Sequence, residues 1–166
     1  DIAVRKVGVN QERFSVVAKI PGKGHGTSLA FNAHLDTAIR SDDKFVMRNP
    51  EDPFYNSAWE ENGMLFGEGI QNDKGAVACL MLVAKALKEY QDLDGDVFIT
   101  ASCGETGLEP VDEFQGEAYH AKDFGARYML THGGITADYA VVAEGTDFKV
   151  IWVEAGKAFF KVTLYG

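Results

Sequence analysis

His34 and Asp36 stand two residues apart at the end of the run Ser28-Leu-Ala-Phe-Asn-Ala-His34. A neutral imidazole binds a metal through one nitrogen, and a carboxylate two residues on can accept the proton of the other and fix the ring. The same pair also suits an ordinary strand-end histidine held by a neighbouring carboxylate, so its meaning depends on what else the fold brings to it. Asp73 lies in Gly67-Glu-Gly-Ile-Gln-Asn-Asp73-Lys-Gly75, a tight loop feeding a helix, where a carboxylate can cap free N–H groups or face a cation. Glu105 follows one strand-like run in Ser102-Cys-Gly-Glu-Thr-Gly107, and Glu144 follows another in Ala143-Glu-Gly-Thr146. Singly, such acids serve turns and caps. Together, one imidazole and three carboxylates make a nitrogen and oxygen ligand set suited to zinc, manganese or cobalt.

Other chemistries fit less well. Gly67-x-Gly69-x-x-Asn72 has the outline of a dinucleotide fingerprint, but its last position is neither Gly nor Ala and no clear βαβ unit surrounds it. Cys103 could be a soft ligand or a nucleophile, yet no histidine is close in sequence, and strand-end cysteines are usually buried and inert. His25 falls in a glycine-rich turn, and His120 and His132 flank a helical stretch; surface or capping roles are expected for all three.

The elements that would carry these groups follow from pattern. Phe14–Ile20 is β-branched and aromatic and ends at the turn-rich Pro21-Gly-Lys-Gly-His-Gly26, so it reads as a strand. The run from Ser28 to His34 is nearly continuous in apolar residues, as in a strand buried on both faces. Residues 35–62 keep no sustained period and read as a long loop, with a short strand at 64–66 after it. Between Asp73 and Tyr90, Val77, Leu80, Met81, Ala84, Ala86 and Leu87 recur near the helical period. Strands at 96–101 and 138–143 bracket a helix around 123–130, and two more strands are expected at 149–154 and 158–165. Strands alternating with helices predict an α/β fold with a mostly parallel sheet flanked by helices. In such a sheet ligands gather at the carboxyl ends of the strands, where His34, Asp36, Glu105 and Glu144 all fall.

Bulk properties narrow the classes. The 166 residues are 46% hydrophobic and 25% charged, which suits one globular unit, and no internal repeat or low-complexity segment interrupts them. Sixteen basic residues against 25 acidic ones give a net charge of −9 with no basic stripe, so nucleic acid is not an expected partner. No apolar stretch approaches bilayer length and the first residues lack a signal-peptide layout, so no membrane role is expected. Two cysteines, Cys79 and Cys103, give no disulfide framework, and a reducing cytoplasmic location is the default expectation.

The four motifs taken in order resemble those of the acetylornithine deacetylase, succinyl-diaminopimelate desuccinylase and aminoacylase family of co-catalytic two-metal peptidases and amidohydrolases. That family shows His-x-Asp after a buried strand, Gly-x-Gly-x-x-Asp-x-Lys-Gly before a helix, Glu-Glu-x-Gly, and Gly-Glu-Pro. Phe31-Asn-Ala-His-Leu-Asp-Thr37 is similar to the first, Gly67–Gly75 with its Asp-Lys-Gly triplet to the second, and Ala143-Glu-Gly-Thr146 to the fourth. The resemblance implies an aminopeptidase-like (zinc-peptidase) catalytic domain, two divalent metal ions, foremost zinc, and hydrolysis of an amide, peptide or similar C–N bond by a metal-bridging water. It implies that His34 binds one metal, Asp73 bridges two, Glu105 and Glu144 bind one each, and Asp36 orients His34. The expected partner is a small-molecule or peptide substrate, with a homodimer for the full-length protein.

The third motif departs from the pattern. Aligning Gly107 with the family glycine puts Glu105 at the metal-ligand glutamate and Gly104 where the general base should stand; the other register makes Glu105 the base and leaves Thr106 at the ligand position. A lost acid/base costs roughly 10²- to 10⁴-fold in rate. Glu109, Asp112 and Glu113 are nearby substitutes, and a family member that binds metal with lost or altered hydrolysis is the alternative reading. A non-enzymatic α/β interaction module is a third. The resemblance further implies an incomplete catalytic domain over 1–156, with 157–166 a strand leading towards an absent lid or dimerisation domain; a fragment of this kind is expected to be inactive alone.

Overall fold

The computed structural model describes residues 2–8, 11, 13–37, 57–90, 92–106, 124–153, 156 and 162–166. The chain opens with β1 (Ala3–Gly8) and β2 (Phe14–Ile20), an antiparallel pair in which Val7 and Val17 turn into the core. β3 (Leu29–His34) follows, then a small antiparallel hairpin of β4 (Trp59–Glu61) and β5 (Met64–Phe66), an irregular helical turn over Ile70–Gly75, and α1 (Ala76–Tyr90). β6 (Val97–Ser102), α2 (Ala126–His132) and β7 (Tyr139–Val142) complete the described elements.

The larger sheet has the order β1-β2-β6-β3-β7. β3 runs parallel to both β6 and β7, while β1–β2 and β2–β6 are antiparallel. The sheet is therefore mixed, and the mostly parallel sheet expected from sequence holds only for its β6-β3-β7 half. The cause is local: Ala3–Gly8 form a strand that pairs directly back on β2, a hairpin that needs no helical crossover. The parallel half is the one with helical connections, α1 between β3 and β6 and α2 between β6 and β7.

Packing fixes this frame. In register, Ala30 lies beside Phe98, and both join Val7, Val17, Met129 and Ile135 in the core, so α2 is pinned through Met129. Phe98 is 1% exposed; full burial of such a side chain contributes about 1.5–3 kcal/mol. α1 packs on β2, β3 and β6, turning Val77, Leu80, Ala84 and Leu87 inward at helical spacing. Met81 and Ala86, counted in the same stripe from sequence, face outward, and so does Cys79.

Two expectations change elsewhere. The 35–62 loop ends in β4, which turns into β5 through Asn62 and Gly63, both at positive φ, with Trp59 stacked on Phe66 at 5.4 Å. The strands expected at 149–154, 158–165 and 157–166 are absent wherever those residues are described, in 149–153 and 162–166. Among the described residues no strand pairs with them, and Val150, Trp152 and Leu164 are exposed. No described helix is long and apolar enough to cross a membrane.

Candidate metal centre

Because β3, β6 and β7 run parallel, their carboxyl ends share one rim, and His34, Ser102 and Val142 end the three strands. Backbone bonds extend the alignment past the strands. Leu35 N–H donates to Ser102 at 2.8 Å, and Ala143 N–H donates to Asn32 at 2.8 Å, so Asp36, Glu105 and Glu144 leave the sheet side by side.

His34 is 1% exposed, and its two ring nitrogens face different partners. Nδ1 lies 2.9 Å from the Asp36 main-chain carbonyl and 3.8 Å from the Asp36 carboxylate. Both nitrogens face acceptors, since Nε2 meets the side-chain oxygen of Asn72; with the proton on Nδ1 against the Asp36 carbonyl, Nε2 offers its lone pair to a cation. Around Nε2 stand Glu105 Oε2 at 3.8 Å, Glu144 Oε1 at 3.9 Å and the side-chain amide of Asn72.

The Asp36 carboxylate spends itself on the loop after β6. It accepts from Glu105 N–H at 3.2 Å, from Thr106 N–H at 2.8 Å and from the Thr106 hydroxyl at 2.7 Å. These bonds tie the loop that carries Glu105 to the end of β3. The orienting contact on the His34 ring comes chiefly from the Asp36 carbonyl, and the carboxylate positions Glu105.

Asp73 lies beneath the ring. Its side chain is buried at 0% exposure, Oδ2 accepts the His34 backbone N–H at 2.9 Å, and Oδ1 has no hydrogen-bond partner among the described residues. Burial raises its pKa above the ordinary aspartate value, against the lowering effect of the His34 N–H. The loop around it is held tightly: Lys74 N–H donates to Gly69, and Gly69 has φ 76, with a Cβ there falling 2.3 Å from Thr37 Cγ2. Glu144 is raised as well, first by burial, then by the Asp73 carboxylate, with Glu105 adding to the effect and His34 opposing it.

Ligand atoms of His34, Asp73 and Glu144 all lie within 4.8 Å of one another. A buried carboxylate oxygen without a donor, two raised carboxyls and an imidazole lone pair aimed among oxygens are the features a divalent cation satisfies, and these residues fit one. Of the four residues expected from sequence to bind metal, His34, Asp73 and Glu144 form this group, and Glu105 stands 3.8 Å from His34 Nε2. Sequence reading passed over Asn72. Counting Gly-x-Gly-x-x from Gly67 lands on residue 72, and that count was the available signal. Among the other histidines, His25 is exposed in its turn and His132 stacks on Tyr128 at 4.0 Å, away from the centre. His120, Glu109, Asp112 and Glu113 lie outside the described residues. Cys103 is occupied structurally: its N–H donates to Ser15 and its sulfur contacts the Phe124 carbonyl.

The frame is thus an α/β sheet whose parallel half presents a candidate metal centre at its carboxyl rim. The sequence profile of Peptidase family M20/M25/M40 matches residues 30–156, from inside β3 to beyond Glu144, and the chain belongs to that family. It is 34% identical over 121 residues to a succinyl-diaminopimelate desuccinylase of Legionella pneumophila (strain Lens), covering 72% of this chain and 28% of that protein. It is 29% identical over 140 residues to N-formyl-4-amino-5-aminomethyl-2-methylpyrimidine deformylase of Bacillus subtilis (strain 168), covering 82% and 28%. Carboxypeptidase G2 of Pseudomonas sp. (strain RS-16) is 30% identical over 155 residues, covering 92% and 32%. Among solved structures, human carnosine dipeptidase 1 aligns with a TM-score of 0.46 at 19% identity, over 87% of this chain and 29% of that one. The chain spans less than a third of the length of the curated relatives it matches.

Proposed function

We propose that the chain is the metal-holding part of a hydrolase that cleaves an amide, peptide or similar C–N bond. The observation that carries this reading is the convergence of the His34, Asp73 and Glu144 ligand atoms within 4.8 Å at the rim of the parallel strands. The names of the relatives support it, since desuccinylase, deformylase and carboxypeptidase all describe removal of a group across such a bond. They lend no support to a member that has lost hydrolysis.

Bound at the rim, divalent metal, zinc foremost and manganese or cobalt as alternatives, supplies an acidified water and a polarised carbonyl. The residues do the rest. With its proton on Nδ1, against the Asp36 carbonyl, His34 offers Nε2 to the ion. Asp73 holds the end of β3 through the His34 N–H and keeps Oδ1 free. Glu105 and Glu144 bring negative charge from the two flanking strands, and Glu105 is the group placed to carry a proton between water and leaving amine, Gly104 having no side chain to do so. The substrate is a small molecule or peptide.

The activity belongs to the protein that carries this chain in full, and the 166 residues alone are proposed to bind metal with little turnover. Release of free amine from N-acyl amino acids and dipeptides, with zinc, manganese or cobalt added, tests the reaction on that protein. Metal uptake by the present chain tests the site: His34→Ala and Asp73→Ala are expected to lower affinity by at least about 100-fold, beyond what changing a mere supporting residue does. Uptake unchanged in both variants would sink the reading.

A further inference from the structure

We propose that Asn72 is a ligand-side residue of this centre, and that its neutral amide limits the centre to one tightly held divalent cation. This rests on the reading of the rim as a metal centre and deepens it. The observation is the partner of His34 Nε2. Of the side chains around that nitrogen, Glu105 and Glu144 stand 3.8 and 3.9 Å away, whereas the Asn72 amide is in direct contact.

Asp73, next in sequence, has one oxygen already engaged, by the His34 backbone N–H, and its side chain is wholly buried. Asn72 is the exposed member of the pair and stands at the mouth of the centre, over the ring nitrogen. A carboxylate at that point would bring two oxygens and a negative charge, and could serve two cations at once. An amide brings one oxygen, no charge and no second ligand atom, since its nitrogen has no free lone pair for a metal. With Asn72 neutral, Glu105, Glu144 and Asp73 are the acids left around Nε2, enough charge for one divalent ion but short for a close pair of them.

The Asn72 side chain turns its oxygen, Oδ1, to His34 Nε2, so the one ligand atom the amide has already faces the centre.

The test is equilibrium dialysis of the chain against zinc, with the bound metal counted by elemental analysis and folding checked by circular dichroism, for the wild type, Asn72→Asp and Asn72→Ala. The wild type is expected to hold about one equivalent. Asn72→Asp is expected to tighten binding by about 10- to 100-fold and to take up a further equivalent at zinc concentrations where the wild type does not, the range being that seen when groups around a metal are changed. Asn72→Ala is expected to lose affinity by about 10-fold, through the missing oxygen. Asn72→Asp and Asn72→Ala both binding like the wild type would overturn the role of Asn72 while leaving the metal centre intact. Two tightly held equivalents in the wild type would overturn the limit to one. No uptake by any of the three chains would overturn both the inference and the reading beneath it.

Discussion

Asp36 shows how one residue serves the centre twice. Its carbonyl lies 2.9 Å from His34 Nδ1 and holds the ring, and its carboxylate gathers three donors from the loop that carries Glu105. Replacing the side chain leaves the first function in place and removes the second. Asp36→Ala is therefore expected to lower zinc affinity by about 10- to 100-fold, as changes behind metal ligands do, without abolishing it. Amide hydrogen exchange at Glu105 and Thr106 is expected to speed up in the same variant; unchanged exchange would mean that the carboxylate does not hold the loop. The sequence marked Asp36 as a partner of His34 because the two are close in the chain. That its carboxylate reaches instead across to β6 depends on β3 and β6 lying side by side, which spacing alone does not reveal. Asn72 was legible in the same motif but was overshadowed by the charged residue beside it.

At the scale of elements, the parallel strands and their helices were readable wherever one signal dominated. Phe14–Ile20 matches β2 end to end because β-branched and aromatic residues fill it, and α1 follows its apolar period from Val77 to Leu87. β1 was not read because Arg5 and Lys6 interrupt a short run whose residues are mostly exposed, and β4 was lost within a loop although Asn62-Gly63 is a strong hairpin signal. The loop after β6 turns at Gly104 with φ 74, a conformation that costs a non-glycine residue about 1–2 kcal/mol. Gly104→Ala is expected to lower stability in urea unfolding by about that amount, and Gly104→Glu pays the same strain, so a carboxylate placed there does not simply restore a general base. The start of β7 is held by Asp138, whose carboxylate accepts from the Ser28 hydroxyl and backbone N–H, each at 2.7 Å. These bonds, the hydroxyl first, lower its pKa below the ordinary 3.8, so its contribution is present above that value and is lost as pH falls through the depressed one. Thermal unfolding of Asp138→Asn against the wild type is expected to differ most near neutral pH and to converge below pH 3.8; a difference that grows on acidification would contradict the assignment.

Across the whole molecule, the net charge of −9 has part of its explanation at one rim, where Asp73, Glu105 and Glu144 surround a single imidazole. Burial, and then the neighbouring Asp73 and Glu105 carboxylates, raise the pKa of Glu144, and a divalent ion relieves the crowding while stabilising the folded chain by mass action. The family assignment and the geometry meet on this point, since residues 30–156 contain every side chain named in the centre. The most direct measurement is therefore the metal content of the chain after dialysis against zinc, set beside that of His34→Ala. The account predicts bound zinc in the wild type, accompanied by a higher thermal midpoint, with both lost in the variant. Equal zinc content in the two proteins, or none in either, would contradict it.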